Sequence, residues 1–221
     1  MTGREPNSSD KPILSIVGER VALGPLRRDL LPLYTRWIND LGTTRTIGLA
    51  PGPMTEEQEL EWFEGQAKAE DNIALTAYER ENLQPIGNTS LFEVDYRNSR
   101  ATFGILIGEA EYRGKGYGTE TTRLMLDYAF TALGLHNVML TVFTFNPAGI
   151  RAYEKAGFKE FGRRRECRRM GSRLYDEVYM DCLASEFERP VTRGKEWGLS
   201  AWLPPEGTAR LEVATDRASA R

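Results

Sequence analysis

Seven consecutive residues, Arg113-Gly114-Lys115-Gly116-Tyr117-Gly118-Thr119, constrain this chain more than any other stretch. Glycine recurs at every second position, and the run stands between two different hydrophobic periods. Before it, Ala101 to Gly108 (ATFGILIG) has the character of a strand. After it, Tyr117, Thr121, Leu124, Tyr128 and Ala132 mark one face of a helix that stops at Gly134. A strand turning into a helix across glycines leaves the first helical N–H groups without intrahelical acceptors and lets backbone approach a ligand. Those N–H groups and the positive end of the helix dipole favour an anion such as a pyrophosphate. Spacing excludes two familiar anion loops. Lys115 is followed by Gly116, where a Walker A loop needs Ser or Thr, and Thr119 stands where the last glycine of GxGxxG belongs.

The surrounding pattern is mixed. Glu19 to Leu26 reads as a short strand closed by Gly24-Pro25, and Asp29 as the cap of a helix with Leu30, Leu33, Tyr34, Trp37 and Leu41 on its apolar face. After a Gly/Pro/Thr loop, Thr55-Glu56-Glu57-Gln58 is a capping box opening a helix through Leu60, Phe63 and Ala67. Ile73 to Tyr78, Pro85 to Val94 and Ala101 to Gly108 are evenly spaced strands of an antiparallel meander. Beyond the central helix come a strand, Val138 to Phe145, and a short helix capped by Asn146-Pro147 and ended by Gly157. A hairpin from Phe158 to Leu183 then turns at Gly171-Ser172. Residues 1–12 read as a loose tail, 13–184 as the domain, and 185–221 as an extension whose Trp197, Leu199, Trp202 and Leu203 can dock on the domain or on a second subunit.

Composition matters through what is scarce. His136 is the only histidine, and Cys167 and Cys182 are the only cysteines, among 221 residues. There is no CxxC or HxxxH pair for zinc and no GxSxG elbow, so no metal is expected and no imidazole-driven hydrolysis. A hairpin centred on Gly171-Ser172 puts Cys167 opposite Asp176 and Cys182 opposite Phe161, too far apart for a disulfide, which fits a reducing cytoplasm. The net charge of −3 gives no reason to expect general nucleic-acid binding. No apolar run approaches the ~20 residues of a membrane span, and the first ten residues lack the apolar core of a signal peptide.

Two motifs in order are more specific than the loop alone: R-G-x-G-x-G at Arg113 to Gly118, and N-x-x-[A/S/G]-I-x-x-Y-x-K-x-G-F at Asn146 to Phe158. With them the sequence resembles the GNAT superfamily of acetyl-CoA-dependent N-acetyltransferases from Arg20 to Leu183, and most strongly from Ile86 to Phe158. The branch it looks most like includes the ribosomal-protein N-terminal, spermidine and amino-sugar acetyltransferases. The resemblance implies an α/β (α+β) GNAT fold, a central mixed, mostly antiparallel twisted sheet of six to seven strands flanked by about four helices. It also implies acetyl-CoA (coenzyme A) as the cofactor. Backbone amides of Gly114, Lys115, Gly116, Tyr117, Gly118 and Thr119 would hold the CoA pyrophosphate, flanked by Arg113 and Lys115. Ile105, Leu106 and Ile107 would line the pantetheine arm, with amides near Ile107 stabilising the oxyanion. Asn146, with Gly149 in the same motif, would hold that arm, and Tyr153 would be the acid that protonates the departing thiolate.

Direct attack requires a neutral amine. Holding a lysine-like amine of pKa ~10.4 neutral at pH 7 costs about 4.6 kcal/mol, against about 1.1 for an α-amine near ~7.8. Many members of the superfamily carry a glutamate for this task on the strand before the loop, and the matching position here is Thr102. Glu109 and Glu111 are either substitutes for it or solvated loop carboxylates. That gap points to a low-pKa acceptor, such as an amino sugar or a peptide α-amine. Trp37, Asn39, Asp40 and Glu109, with Trp62, are candidates for acceptor recognition, although Trp37 also fits its helix's apolar face. Arg163, Arg164, Arg165, Arg168, Arg169 and Arg173 read as a solvated hairpin or as a site for an anionic acceptor or the CoA phosphates. Alternation puts Arg163, Arg165 and Arg169 on one face of it and Arg164 and Arg168 on the other. The expected function is acetyl transfer to a primary amine of a small molecule (amino sugar, antibiotic or metabolite), with a homodimer as one open arrangement. The alternatives are a protein N-terminal acetyltransferase of the ribosomal-protein type and a non-catalytic acyl-CoA-binding regulatory module.

Overall fold

The computed structural model describes residues 11–47, 52–188, 191–192 and 195–196. Strands β1 (Ile16–Val17), β2 (Val21–Pro25), β3 (Ile73–Glu79), β4 (Pro85–Asp95), β5 (Arg100–Ile107), β6 (Asn137–Phe143), β7 (Lys159–Met170) and β8 (Arg173–Leu183) form one sheet, ordered β1-β2-β3-β4-β5-β6-β8-β7. Every neighbouring pair in it is antiparallel except β5 with β6. Helices are α1 (Leu31–Asn39), α2 (Leu41–Thr44), α3 (Glu56–Gln66), α4 (Tyr117–Asp127) and α5 (Pro147–Ala156), with α4 running on through a wider π turn, Tyr128–Ala132. The mixed, mostly antiparallel sheet is the expected one. It has eight strands rather than six to seven because β1, two residues long, is too short to show a period. The fifth helix is α2, a single turn within the segment read as loop. Asp40 caps it by accepting from Gly42 N–H at 2.9 Å.

Strand alternation sorts the helices onto two faces. Leu75 and Ala77 of β3 join the main core with Leu124 and Met125 of α4 and Ala156 of α5. Thr76 and Tyr78 face the other way, where the Tyr34 phenol of α1 lies 2.5 Å from the Thr76 hydroxyl. The capping box of α3 forms as its sequence predicts. Asp29 does not cap α1: it is paired with Arg27 in a 3₁₀ turn, Arg28–Leu30, that precedes the helix. Leu41 is 73% exposed on α2 rather than part of the apolar face of α1, which buries Tyr34 and Trp37.

The β7–β8 hairpin turns at Gly171 and pairs Met170 with Arg173 and Arg168 with Tyr175. Two register shifts follow, one beside Glu166 at φ 51°, so that Lys159 meets Asp181. Cys182 therefore pairs one position beyond Lys159, near Phe158 rather than Phe161, and both cysteines are free thiols. The bulge also breaks the simple alternation expected of the arginines. β7 is the sheet edge, and a row of arginines there discourages another strand from adding. Arg163 pairs with Glu160 and Asp176, and Arg168 stacks on Phe143 at 5.3 Å. From residue 185 on, Phe187 packs against Phe130, while Trp197, Leu199, Trp202, Leu203 and most of the 1–12 tail lie outside the described residues.

Candidate active site

β5 pairs with β6 only from Arg100 to Thr102, against Asn137 to Met139. β6 then runs on against β8 while β5 continues to Ile107 beside β4 alone, so the two strands part. Gly104 turns its carbonyl toward β4, where the Thr89 hydroxyl donates to it at 3.0 Å. By alternation Phe103, Ile105 and Ile107 aim their backbone N–H and C=O groups into the gap. An extended ligand can complete that edge as a strand would. His136 lies at the opposite end of β6, exposed.

The glycine loop closes the gap from below the end of β5. Gly114 (φ 71°) and Gly116 (φ 93°) take left-handed conformations, and Gly116 caps α4. The first intrahelical bond is from Glu120 N–H to Gly116 C=O, which leaves Gly118 and Thr119 N–H without helical acceptors. A cleft of about 440 Å³ runs from Arg113, Gly114, Gly116, Gly118 and Thr119 along Ile105, Leu106 and Ile107 to Asn146, Gly149 and Tyr153. Arg113 reaches inward rather than toward solvent. Its guanidinium donates to the carbonyls of Ile107 (2.9 Å) and Gly108 (2.8 Å) and to the Thr43 hydroxyl, fastening the loop to β5 and α2. Lys115 is exposed and outside the cleft lining, and its carbonyl accepts from Arg20 at 2.8 Å. Tyr117 also stays outside the lining, its ring beneath the Arg20 guanidinium at 4.2 Å. Arg45, Arg151 and Lys155 supply cations to the lining that the glycine motif does not signal.

Asn146 caps α5 by accepting from Gly149 N–H at 2.9 Å, so close that a Cβ on Gly149 would stand 2.5 Å from the Asn146 amide nitrogen. One turn beyond Gly149, Tyr153 points between Phe103 and Phe158, edge-on to both. Burial pushes its phenol up to about 12, and among the described residues its hydroxyl has no hydrogen-bond partner. It therefore stays protonated throughout the neutral range.

Tyr153, Asn146, Ile105 and Leu106 also line a second cavity of about 470 Å³ on the other side of β5. Its far wall is Tyr34 and Ile38 of α1 with Glu59 and Trp62 of α3; Thr102, Phe143 and Glu177 close it. Trp37, Asp40 and Glu109 are outside this lining, as is Asn39. Trp37 is 2% exposed and packs on Gly108, where a Cβ would meet its ring at 2.2 Å. Glu109 accepts from the Trp37 indole at 2.9 Å and pairs with Arg36, joining α1 to the end of β5. Asn39 binds the Met54 main chain in both directions, and Asp40 serves α2. Glu111 is exposed in the 3₁₀ turn before the loop. Glu59 and Glu177 are the carboxylates of the cavity, and neither stands in a motif: only folding brings them to it.

The family profile described as "Acetyltransferase (GNAT) domain" matches residues 20–159. The prophage-derived uncharacterised N-acetyltransferase YokL of Bacillus subtilis is 32% identical over 137 residues, covering 62% of this chain and 75% of its own. The spermidine N(1)-acetyltransferase of Vibrio cholerae is 36% identical over 102 residues, 46% of this chain and 58% of its own, and mouse alpha/beta-tubulin-N-acetyltransferase 9 is 27% identical over 185 residues, 79% and 73%. The crystal structure of the Vibrio cholerae spermidine N-acetyltransferase in complex with CoA and spermine superposes with a TM-score of 0.70 at 26% identity, covering 76% of this chain and 97% of that one. This chain belongs to the GNAT acetyltransferase family. It is an acyltransferase that uses acetyl-CoA and acetylates an amine, which sets aside the non-catalytic reading. Its donor groups suit CoA: main-chain N–H groups for a diphosphate, and an unpaired strand edge for an arm that carries amides. Among the described residues no helix is long and apolar enough to cross a membrane.

Proposed function

We propose that the protein acetylates a primary amine of a small molecule by direct attack. Bound acetyl-CoA supplies an acetyl group activated as a thioester. The Gly114–Thr119 amides hold its diphosphate, while the open edge at Ile105 and Ile107 orients its arm and presents N–H groups where negative charge develops. Tyr153 holds a proton at its hydroxyl for the departing sulfur. Its burial keeps that phenol protonated across the neutral range, so the proton is in place when the sulfur leaves.

One observation carries the reading. The loop-lined cleft and the second cavity meet at Tyr153, Asn146, Ile105 and Leu106, so a donor side and an acceptor side share one junction. The acceptor side is walled by α1 and α3 and has the volume of a metabolite-sized site, which supports a small acceptor over a long peptide. Free thiol released from acetyl-CoA, measured over spermidine, glucosamine and short peptides with free N-termini, tests it. Turnover confined to the peptides would replace the small-molecule acceptor with a protein N-terminus.

A further inference from the structure

Glu59 is out of place by ordinary rules. It lies in the first turn of α3, is 5% exposed, and has no side-chain hydrogen bond or ion pair among the described residues. A carboxylate taken from water without a partner is costly unless something cationic joins it. Burial alone accounts for its pKa, which is raised above the usual carboxylate range. The cavity it faces shows what could join it. Its other titratable lining groups are Tyr34 from α1, Tyr153 from α5 and Glu177 from β8; no Lys, Arg or His lines it among the described residues. Tyr34 is spoken for by Thr76, and Glu177 accepts from Tyr179 at 3.1 Å. Thr102 cannot act as a base near neutral pH, and its hydroxyl donates to Glu93 at 3.0 Å. Glu59 therefore shares a small chamber with Tyr153 and the open edge of β5, and it is the carboxylate there without a partner among the described residues.

From this placement we infer that Glu59 receives the acceptor's ammonium group and is the base that neutralises it. The inference rests on the acetyl-transfer reading above. In the step an N–H bond of the ammonium breaks, its electron pair stays on nitrogen as the attacking lone pair, and the proton forms an O–H bond on Glu59. The carboxyl group returns that proton to solvent before the next cycle. A base in this position removes the need for a low-pKa acceptor: an aliphatic amine that is protonated at pH 7 becomes a competent substrate.

Glu59→Gln keeps the shape and removes the base. With the amine that the wild type acetylates fastest, kcat/KM at pH 7 should fall about 10²- to 10⁴-fold, the usual contribution of a general base. The variant's rate should then climb tenfold per pH unit, following the free-amine fraction, while its CoA affinity by calorimetry equals that of the wild type. A fall of less than threefold overturns the role of Glu59 and leaves acetyl transfer standing. A readout without turnover is the side-chain carboxyl ¹³C signal of Glu59, assigned by its loss in E59Q. Added propylamine should shift it; a signal unmoved by propylamine overturns the inference whatever the turnover screen shows.

Discussion

Gly118→Ala separates what the loop does for the fold from what it does for the ligand. A Cβ built on Gly118 meets only Ile107 Cγ1, at 3.8 Å, and its backbone is that of the helix it sits in. The protein thus has room for the methyl, and replacing a helical glycine by alanine stabilises by about 0.5–1 kcal/mol. For a domain of this size that raises Tm by about 1–4 °C. The same methyl lines the cleft, where a diphosphate must come within hydrogen-bonding distance of the α4 N–H groups. Losing one charge-assisted bond costs about 1.5–3 kcal/mol, which weakens CoA binding about 10- to 150-fold. Scanning calorimetry of the free protein and isothermal titration with CoA measure the two effects separately. Gly114→Ala and Gly116→Ala do not separate them: their positive φ values cost an alanine about 1–2 kcal/mol, so stability and affinity fall together. A Gly118→Ala protein with raised Tm and unchanged CoA affinity would refute the placement of the diphosphate at this helix start.

Tyr153→Phe should lower kcat by about 10²-fold or more with little change in Tm, because no partner of the hydroxyl is lost; thiol release and a melting curve check both. The phenol is active while protonated and loses its proton only as pH rises through about 12, so kcat in the wild type should show no alkaline decline up to pH 10. Asn146→Ala removes a cap worth about 1 kcal/mol and should also raise KM for acetyl-CoA, since the residue borders the cleft as well. Glu120→Ala leaves the Arg20 and Val21 N–H groups, which now donate to its carboxylate at 2.8 and 3.1 Å, without that acceptor. It should destabilise by about 2–5 kcal/mol in denaturant titration.

Features whose cause is local were legible along the chain. The strand–glycine–helix unit, the Thr55 capping box and the Asn146-Pro147 helix start follow from φ freedom and orphan N–H groups, which neighbours in the chain satisfy. The glycine loop and the Asn146 helix start carry the motifs on which the family resemblance, and with it the fold class, rested. Local patterns mislead where another partner outcompetes the expected one. Asp29 has the chemistry of a cap yet is held by Arg27, and Glu109, read as a substitute base or a solvated loop carboxylate, is neither: it is fastened to Trp37 and Arg36 across 72 and 73 residues. The cavity between β5, α1 and α3 belongs to tertiary structure alone. The gap opens because β6 stays with β8 from Asn137 to Phe143 but parts from β5 after Met139, a pairing choice that no single strand encodes. Glu59 shows the same limit: the sequence places it in the acidic first turn of α3, and only the packing of α3 beside α1 buries it against the cavity.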